Sequence, residues 1–240
     1  MPYFNNFPKT LYSFGDGDIA SMQNLASYSE IVDEIKNNSA YYEKYHILSG
    51  ERADQVSFKL YKKPDLHWTF YLMNDNIREN GWPMTYDEVL HKAQDDLTGL
   101  VLRVREEMFT KFKVGQTVKD LTTGNTGVIV HRDLKLGHLV LEQTTGPFSS
   151  NSTLQSTVGT EIETIAYEDV MLEYLAPHHY LDKDGEIVDF CPFTGPGEFE
   201  IPVTNLEKYI SDNDKLKEIN VLRTASALQI ERLFNSGINS

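Results

Sequence analysis

The most regular hydrophobic pattern in the chain begins at Tyr86. Tyr86, Val89, Leu90, Ala93, Leu97, Leu100, Val101, Val104 and Met108 recur at three- and four-residue spacing, which puts them on one stripe of a helix. Thr85-Tyr86-Asp87-Glu88 has the form of a capping box, in which Thr and Glu satisfy the first free amides reciprocally. The pattern predicts one long helix reaching residue 109, with Gly99 as a weak point inside it. Ser27-Tyr28-Ser29-Glu30 is a second box and predicts a helix that buries Ile31, Val32 and Ile35 and ends near Asn37-Asn38. A third, Thr204-Asn205-Leu206-Glu207, opens a short helix with Leu206, Tyr209 and Ile210. A last helix, about Ala225 to Asn235, carries Leu228, Leu233 and Phe234, and Gly237 ends it.

From Phe112 the period changes. Phe112 to Val118 alternates, Gly124-Asn125-Thr126-Gly127 reads as a turn, and Val128-Ile129-Val130 as a strand. Leu136, Leu139, Val140 and Leu141 suggest another strand, and Ile162, Ile165 and Tyr167 belong to later ones. Short strands between Gly turns predict a small antiparallel, SH3-like β-barrel. The Ser- and Thr-rich stretch Gln143 to Ser156 reads as a surface loop on it. His178 to Pro202, with Pro192, Pro196 and Pro202, reads as an extended linker. Two short helices after a linker cannot bury much alone and need the main body or a partner.

The opening, Met1 to Gln23, sets Tyr3, Phe4, Phe7, Leu11, Tyr12 and Phe14 among Asn, Pro, Gly and Asp, with the spacing of neither helix nor strand. A disordered tail is normally poor in aromatics. The segment is therefore an arm that lies along another subunit or one that packs on its own domain, and both readings stay open. The expected fold is α+β: an aromatic arm over 1–26, a helix, a strand-helix-helix body and the long helix over 27–109, the barrel over 110–175, the linker over 176–203 and a helical tail over 204–240.

Composition narrows the function classes. At 240 residues and 40% apolar content the chain has material for folded cores, and no stretch is long and apolar enough to span a bilayer. The formal net charge of −14 argues against a nucleic-acid partner, which needs a basic surface to displace counterions, and against anionic membranes. Met1 to Lys9 has no apolar segment of the secretory type, and the single Cys191 cannot form an internal disulfide; both predict a protein made in a cytoplasm.

Candidate chemistry is thin. Cys191 could be a nucleophile with His178 or His179 as base, but it precedes Pro192 with no helix N-terminus to activate it, so a bystander thiol is the better reading. His178, His179, Asp182 and Asp184 lack zinc spacing, and adjacent histidines usually point apart. Asp182-Lys183-Asp184-Gly185 would put Tyr180 and Cys191 at the first and twelfth positions of a calcium loop, so it reads as a turn. Among the 36 acidic residues no local motif selects a glycosidase pair. Gly195-Pro196-Gly197 is too short for a phosphate loop, and no Gly-x-Ser-x-Gly occurs. The residues predict no catalysis, no cofactor and no bound metal.

The segment Tyr45 to Asn76 carries more identity. Tyr45 to Leu48 reads as a short strand, Ser49-Gly50-Glu51 as a turn, Arg52 to Tyr61 as a helix and Leu66 to Met73 as a second helix. This order resembles the LysM module, with Gly50-Glu51 where that family has a Gly-acidic turn. Val56, Tyr61, Leu72 and Asn74 or Asn76 stand at its core and closing positions. A LysM module closes with a second strand directly after the Asn, and Ile77 to Pro83 has none. Either an insertion displaces that strand, the nearest candidate being Lys113 to Val118, or Lys113 to Val118 belongs wholly to the barrel; the second is favoured here. Trp68, Tyr71 and Trp82 could stack on a sugar, as in cell-wall relatives of that module, or fill a core or interface.

A wider set of segments points further. PYFNNFPK at the start, SEIVDEIK, ERADQVSFKLYKKPDLHWTFYLMNDNIRENGWPMTYDEV and PVTNLEKY together resemble the small LysM-containing baseplate wedge subunit of T4-like contractile-tail phages. The likeness covers the N-terminal half and the C-terminal tail, and the region Phe112 to Tyr174 looks like an inserted module. The resemblance implies a structural virion protein, assembled in the host cytoplasm, that clamps neighbouring wedges around the hub. Its implied partners are other wedge subunits and the sheath-initiator protein. The contact residues expected are Tyr3, Phe4, Phe7 and Tyr12 in the arm, Trp68 and Tyr71 in the body, and Leu228, Leu233 and Phe234 in the tail. They lie in segments too short to bury them alone, or are large aromatics. The alternative function is a LysM-type module binding peptidoglycan or chitin oligosaccharides.

Overall fold

The computed structural model describes residues 9–13, 15, 19–23, 36 and 38–237. The chain divides into two compact units, Met1–Thr85 with Asn213–Ser240, and Tyr86–Asp212. Helices and antiparallel sheets are combined in an α+β architecture.

The first unit opens with two strands, β1 (Lys9–Ser13) and β2 (Ile19–Gln23), paired antiparallel with Tyr12 opposite Ala20 and Ser13 opposite Ile19. The opening segment was expected to have the spacing of neither helix nor strand. Leu11 and Ser13 in fact alternate with Tyr12, and Gly15, with φ +99, sits in the turn region between the strands. The helix expected after Ser27 lies outside the described residues, apart from Lys36, whose Nζ is 2.7 Å from an Asp75 carboxylate oxygen. Next come β3 (Tyr42–His46), α1 (Ala53–Tyr61), a 3-10 turn at Pro64–His67, α2 (Trp68–Met73) and α3 (Asp75–Asn80). Lys62 ends α1 in the left-handed conformation, and Pro64 starts the following turn where its missing amide costs nothing.

The second unit begins with α4 (Tyr86–Asp96). The helix expected through residue 109 stops here, and β4 (Leu100–Arg103) follows as a strand. The i, i+3, i+4 spacing continued past Asp96 because Leu100-Val101-Leu102 is apolar on both sides, and a short continuous apolar run fits a covered strand as well as a helix. Gly99 makes the break possible: a Cβ there would stand 2.5 Å from both Glu173 Oε2 and Val140 Cγ1, and its amide donates to that carboxylate at 2.9 Å.

There follow β5 (Thr117–Asp120), β6 (Thr126–Asp133), β7 (His138–Glu142), β8 (Ser152–Val158), β9 (Glu161–Tyr167) and β10 (Val170–Leu172). With β4 they form a seven-stranded antiparallel sheet in the order β10-β4-β7-β6-β5-β8-β9. One face buries Leu102, Ile129, Leu139, Leu141, Leu154 and Ile165 with Phe112 and Phe148. The other face at β4 and β7 buries Val101 and Val140 against Ala176. The polar stretch expected as a loop over Gln143 to Ser156 contains most of β8, because Ser152 and Ser156 turn buried hydroxyls inward where each finds an acceptor.

The stretch expected as an extended linker also carries structure. β11 (Pro177–Leu181), β12 (Ile187–Val188) and β13 (Ile201–Thr204) make a three-stranded antiparallel sheet with β11 central. Its prolines sit where no ladder amide is lost: Pro177 starts β11, and Pro202 is on the edge strand β13.

Next is α5 (Asn205–Lys215), whose capping box forms as expected: Thr204 N donates to Glu207 at 2.7 Å and Glu207 N to Thr204 Oγ1 at 3.2 Å. The chain ends in β14 (Glu218–Leu222) and α6 (Thr224–Gly237). β14 returns to the first unit and pairs antiparallel with β3, Tyr45 opposite Ile219. The core there joins Ile47, Val56, Tyr61, Leu66, Phe70, Met73 and Ile77 to Leu216, Ile219, Val221, Leu222, Ala227 and Ile230.

Candidate interaction surface

Two groups of polar side chains fix the geometry of the first unit. Asn74, 6% exposed, bridges its elements: its Nδ2 donates to Phe70 O and Asn220 O, each at 2.8 Å, and its Oδ1 accepts from Asn220 N at 2.7 Å. One side chain thus caps α2 and serves both backbone groups of a residue in β14. Tyr61 adds a second tie, its hydroxyl donating to Leu222 O at 2.9 Å, and burial pushes that hydroxyl up to about 12.

The turn after β3 is held by Glu51. Its carboxylate accepts from Leu48 N at 3.0 Å, Tyr45 Oη at 3.0 Å and Lys59 Nζ at 3.1 Å, while Trp82 Nε1 donates to its carbonyl at 2.6 Å. Burial pushes the Glu51 carboxyl up, but the Leu48 amide, Lys59 and Tyr45 outweigh it and hold it below its ordinary value. Gly50 has φ +82, a conformation open to glycine.

The expected contact residues fall into three groups. Tyr3, Phe4 and Phe7 lie outside the described residues, and of Leu233 and Phe234 only the backbone, within α6, is described. Trp68, Tyr71 and Leu228 are half-buried and pack on the first unit's core. Trp82 lies 5.9 Å from Phe70 and 6.1 Å from Tyr71, ring to ring. Tyr12 is exposed at 54%, in a hairpin that also exposes Leu11 at 74%, Ile19 at 66% and Met22 at 47%. By strand alternation Leu11 and Ile19 share one face of that hairpin, and Tyr12 and Met22 the other.

In the second unit, Asp120 is fully buried. It accepts from Thr122 N, Thr123 N, Thr123 Oγ1, Ser149 N and the Ser152 hydroxyl. Burial works against its charge, yet the Ser152, Thr123 and Thr122 donors prevail and hold the carboxyl well below the usual range. The carboxylate ties the β5–β6 turn to the start of β8. Tyr167 is buried as well, and burial pushes its hydroxyl up to about 12. His138, 4% exposed, stands in the ladder between Arg103 and Asp133; burial, with Arg103, outweighs Asp133 and lowers it to about 4.

The candidate chemistry resolves into local structure. Asp182 Oδ1 accepts from Asp184 N and Glu186 N, making the turn between β11 and β12. His178 and His179, adjacent residues expected to point apart, bring their Nδ1 atoms within 2.9 Å; burial, then His178 and Lys208, lowers His179. Cys191 is exposed, and although no helix N-terminus adjoins it, the Thr194 hydroxyl and the Thr194 and Phe193 amides lower its thiol. Among the described residues no group of three or more His, Cys, Asp or Glu could hold a metal.

Sequence reasoning missed an exposed apolar row across the three-stranded sheet. Leu181 is opposite Ile187 on one side and Ile201 on the other, and Ile187 is 72% and Ile201 58% exposed. The signal was the isolated aliphatic residues among Pro, Gly and acidic ones, which the linker reading discounted.

These features define an α+β protein with exposed apolar surface on short β elements. Compared with known proteins, the chain matches no family model and no curated relative.

Proposed function

We propose that this chain is a structural subunit of the baseplate wedge of a contractile phage tail, clamping neighbouring wedges together around the hub. The observation that carries the reading is the β1–β2 hairpin. A two-stranded hairpin is marginal by itself in water, and this one exposes apolar side chains on both faces, Leu11 with Ile19 and Tyr12 with Met22. Such an element is suited to lie between other chains. It lies in the aromatic opening segment and starts at Lys9, the last residue of PYFNNFPK, one of the segments that resemble the wedge subunit.

The first unit supports the same family. Its order β3-α1-α2 closed by an antiparallel β14 is read as a LysM-like module whose closing strand is displaced by an insertion. In that reading the closing strand is Glu218–Leu222 rather than Lys113 to Val118, supported by Asn74, one of the two Asn candidates for the closing position, which hydrogen-bonds to both backbone groups of Asn220. The inserted sheet is read as a small curled barrel, since its outer strands β9 and β10 are joined by Glu168 and Asp169 alone. Trp68 and Tyr71 are half-buried on the first unit's own core, which weighs against a sugar-stacking platform there. The subunit's proposed place is the virion, its partners the other wedge subunits and the sheath-initiator protein, and it needs neither turnover nor cofactor.

The test is sedimentation of baseplate wedges that lack this chain. Adding the full chain should convert single wedges to hub-sized rings. Chain lacking residues 1–23 should keep its cooperative melt and fail to convert them. Absence of any co-sedimentation by the full chain, together with binding of peptidoglycan fragments, would replace the assembly reading with the glycan-binding one.

A further inference from the structure

The three-stranded sheet of the second unit presents apolar side chains that the described residues of that unit leave exposed. Ile187, Leu181 and Ile201 stand side by side on β12, β11 and β13, one residue per strand, so their side chains project from one face. The opposite face is filled, with Tyr180 buried and stacked on Phe190 at 4.4 Å between ring centroids. Ile187 and Ile201 are exposed, and Phe199, 68% exposed, adjoins the row through the turn at Gly197 to Glu200.

Every member of this apolar row has an acidic neighbour in the chain: Asp182 after Leu181, Glu186 before Ile187, Glu200 before Ile201, and Glu198 before Phe199. With Asp184 and Asp189, the segment 177–204 holds six acidic residues against Lys183 alone. Among the described residues none of the six takes part in a salt bridge. Asp182 and Glu200 spend their carboxylates on turn amides; the remaining four give the segment carrying the row a net negative charge that no salt bridge among the described residues offsets. A second copy of this chain would bring the same negative rim against it, and nucleic acid or anionic lipid would be repelled.

We infer that this face is a docking site for a cationic protein segment in extended conformation, with apolar residues alternating with Lys or Arg. The apolar side chains cover Ile187, Leu181 and Ile201, and the basic ones meet Asp184, Glu186, Asp189 and Glu198 at the rim, the arrangement of an apolar centre with a charged border. The inference goes beyond the clamp proposal and uses a different surface from the hairpin.

The test uses the full chain and a fluorescent ten-residue peptide alternating Lys with Val, followed by polarisation and by methyl NMR. The peptide should bind and shift the methyls of Ile187 and Ile201. Ile187→Ser with Ile201→Ser should weaken binding at least about tenfold. Glu186→Gln with Glu198→Gln should weaken it and flatten its salt dependence. Both surface variants should keep the wild-type melting temperature, which separates docking from folding. A peptide alternating Lys with Ser should bind more weakly, and one alternating Glu with Val should not bind. Equal binding of the Lys-Ser peptide, or affinity unchanged in the Ile pair, would reduce the effect to general charge attraction and overturn the site. Concentration-dependent dimerisation abolished by the Ile pair would reassign the face to a second copy. Because the hairpin is intact in every variant, failure here leaves the ring-assembly result standing, and failure of ring assembly leaves this one standing.

Discussion

At the scale of single residues, buried polar groups do the specifying. Asp120 has no cation beside it among its described partners, only donors from Thr122, Thr123, Ser149 and Ser152. Asp120→Asn would put an amide hydrogen against a donor and should cost about 2–4 kcal/mol, read by denaturant unfolding. Because the folded carboxyl is held below its ordinary value near 3.8, its contribution is complete above that pH and is lost as pH falls below it. His138 works at a milder pH. Its folded value of about 4 lies below the ordinary 6.5, so the unfolded chain takes up a proton that the folded one refuses. Stability is therefore full above about pH 6.5 and falls by about 3 kcal/mol on the way to pH 4. Replacing His138 by Gln should flatten the melting temperature across that window, and a slope that survives would assign it to other groups. Phe112 is a buried position with strained backbone: its φ is +53, and Arg132 Nη1 holds its turn by donating to the carbonyls of Met108, Lys111 and Phe112.

At the scale of elements, position in the sheet decides what a pattern means. The apolar run at Leu100 to Leu102 is a strand because β4 lies between β10 and β7 with cores on both of its faces. Gly137 supports the neighbouring turn. It has φ +67, and a Cβ would come within 2.3 Å of Val104 O, so glycine is required both for conformation and for space. β14 is the decisive element of the first unit. Leu216, Ile219, Val221, Leu222 and Ile230 supply much of its core. At roughly 1.5–3 kcal/mol per large apolar side chain buried, their loss is on the order of 10 kcal/mol, comparable with the stability of a whole domain. Chain truncated after Asp212 should therefore lose the cooperative melt of the first unit, while amides of the seven-stranded sheet in Tyr86–Asp212 stay protected from hydrogen exchange. Retained protection at α1 and α2 would show that β14 is dispensable.

At the scale of the whole molecule, local signals and long-range ones separate cleanly. The amino-acid sequence by itself determined the elements whose cause is local: the capping box at Thr204 with Glu207, the Gly50-Glu51 turn, the start of α4 at Tyr86, and the α1–Pro64–α2 succession. It also determined the acidic charge and the aromatic content of the opening segment. The tertiary structure decided what depends on distant partners. The strand that closes on β3 comes from residue 218 onward, and no periodicity near Asn74 can announce a partner 146 residues away. The serines of β8 look like loop residues until Asp120 and Thr117 O supply their acceptors. The isolated aliphatics of Leu181, Ile187 and Ile201 become a surface only when three short strands bring them into register. The physical reason is the same in each case: capping and turn chemistry act within a few residues, whereas burial and strand pairing depend on what the rest of the chain places opposite.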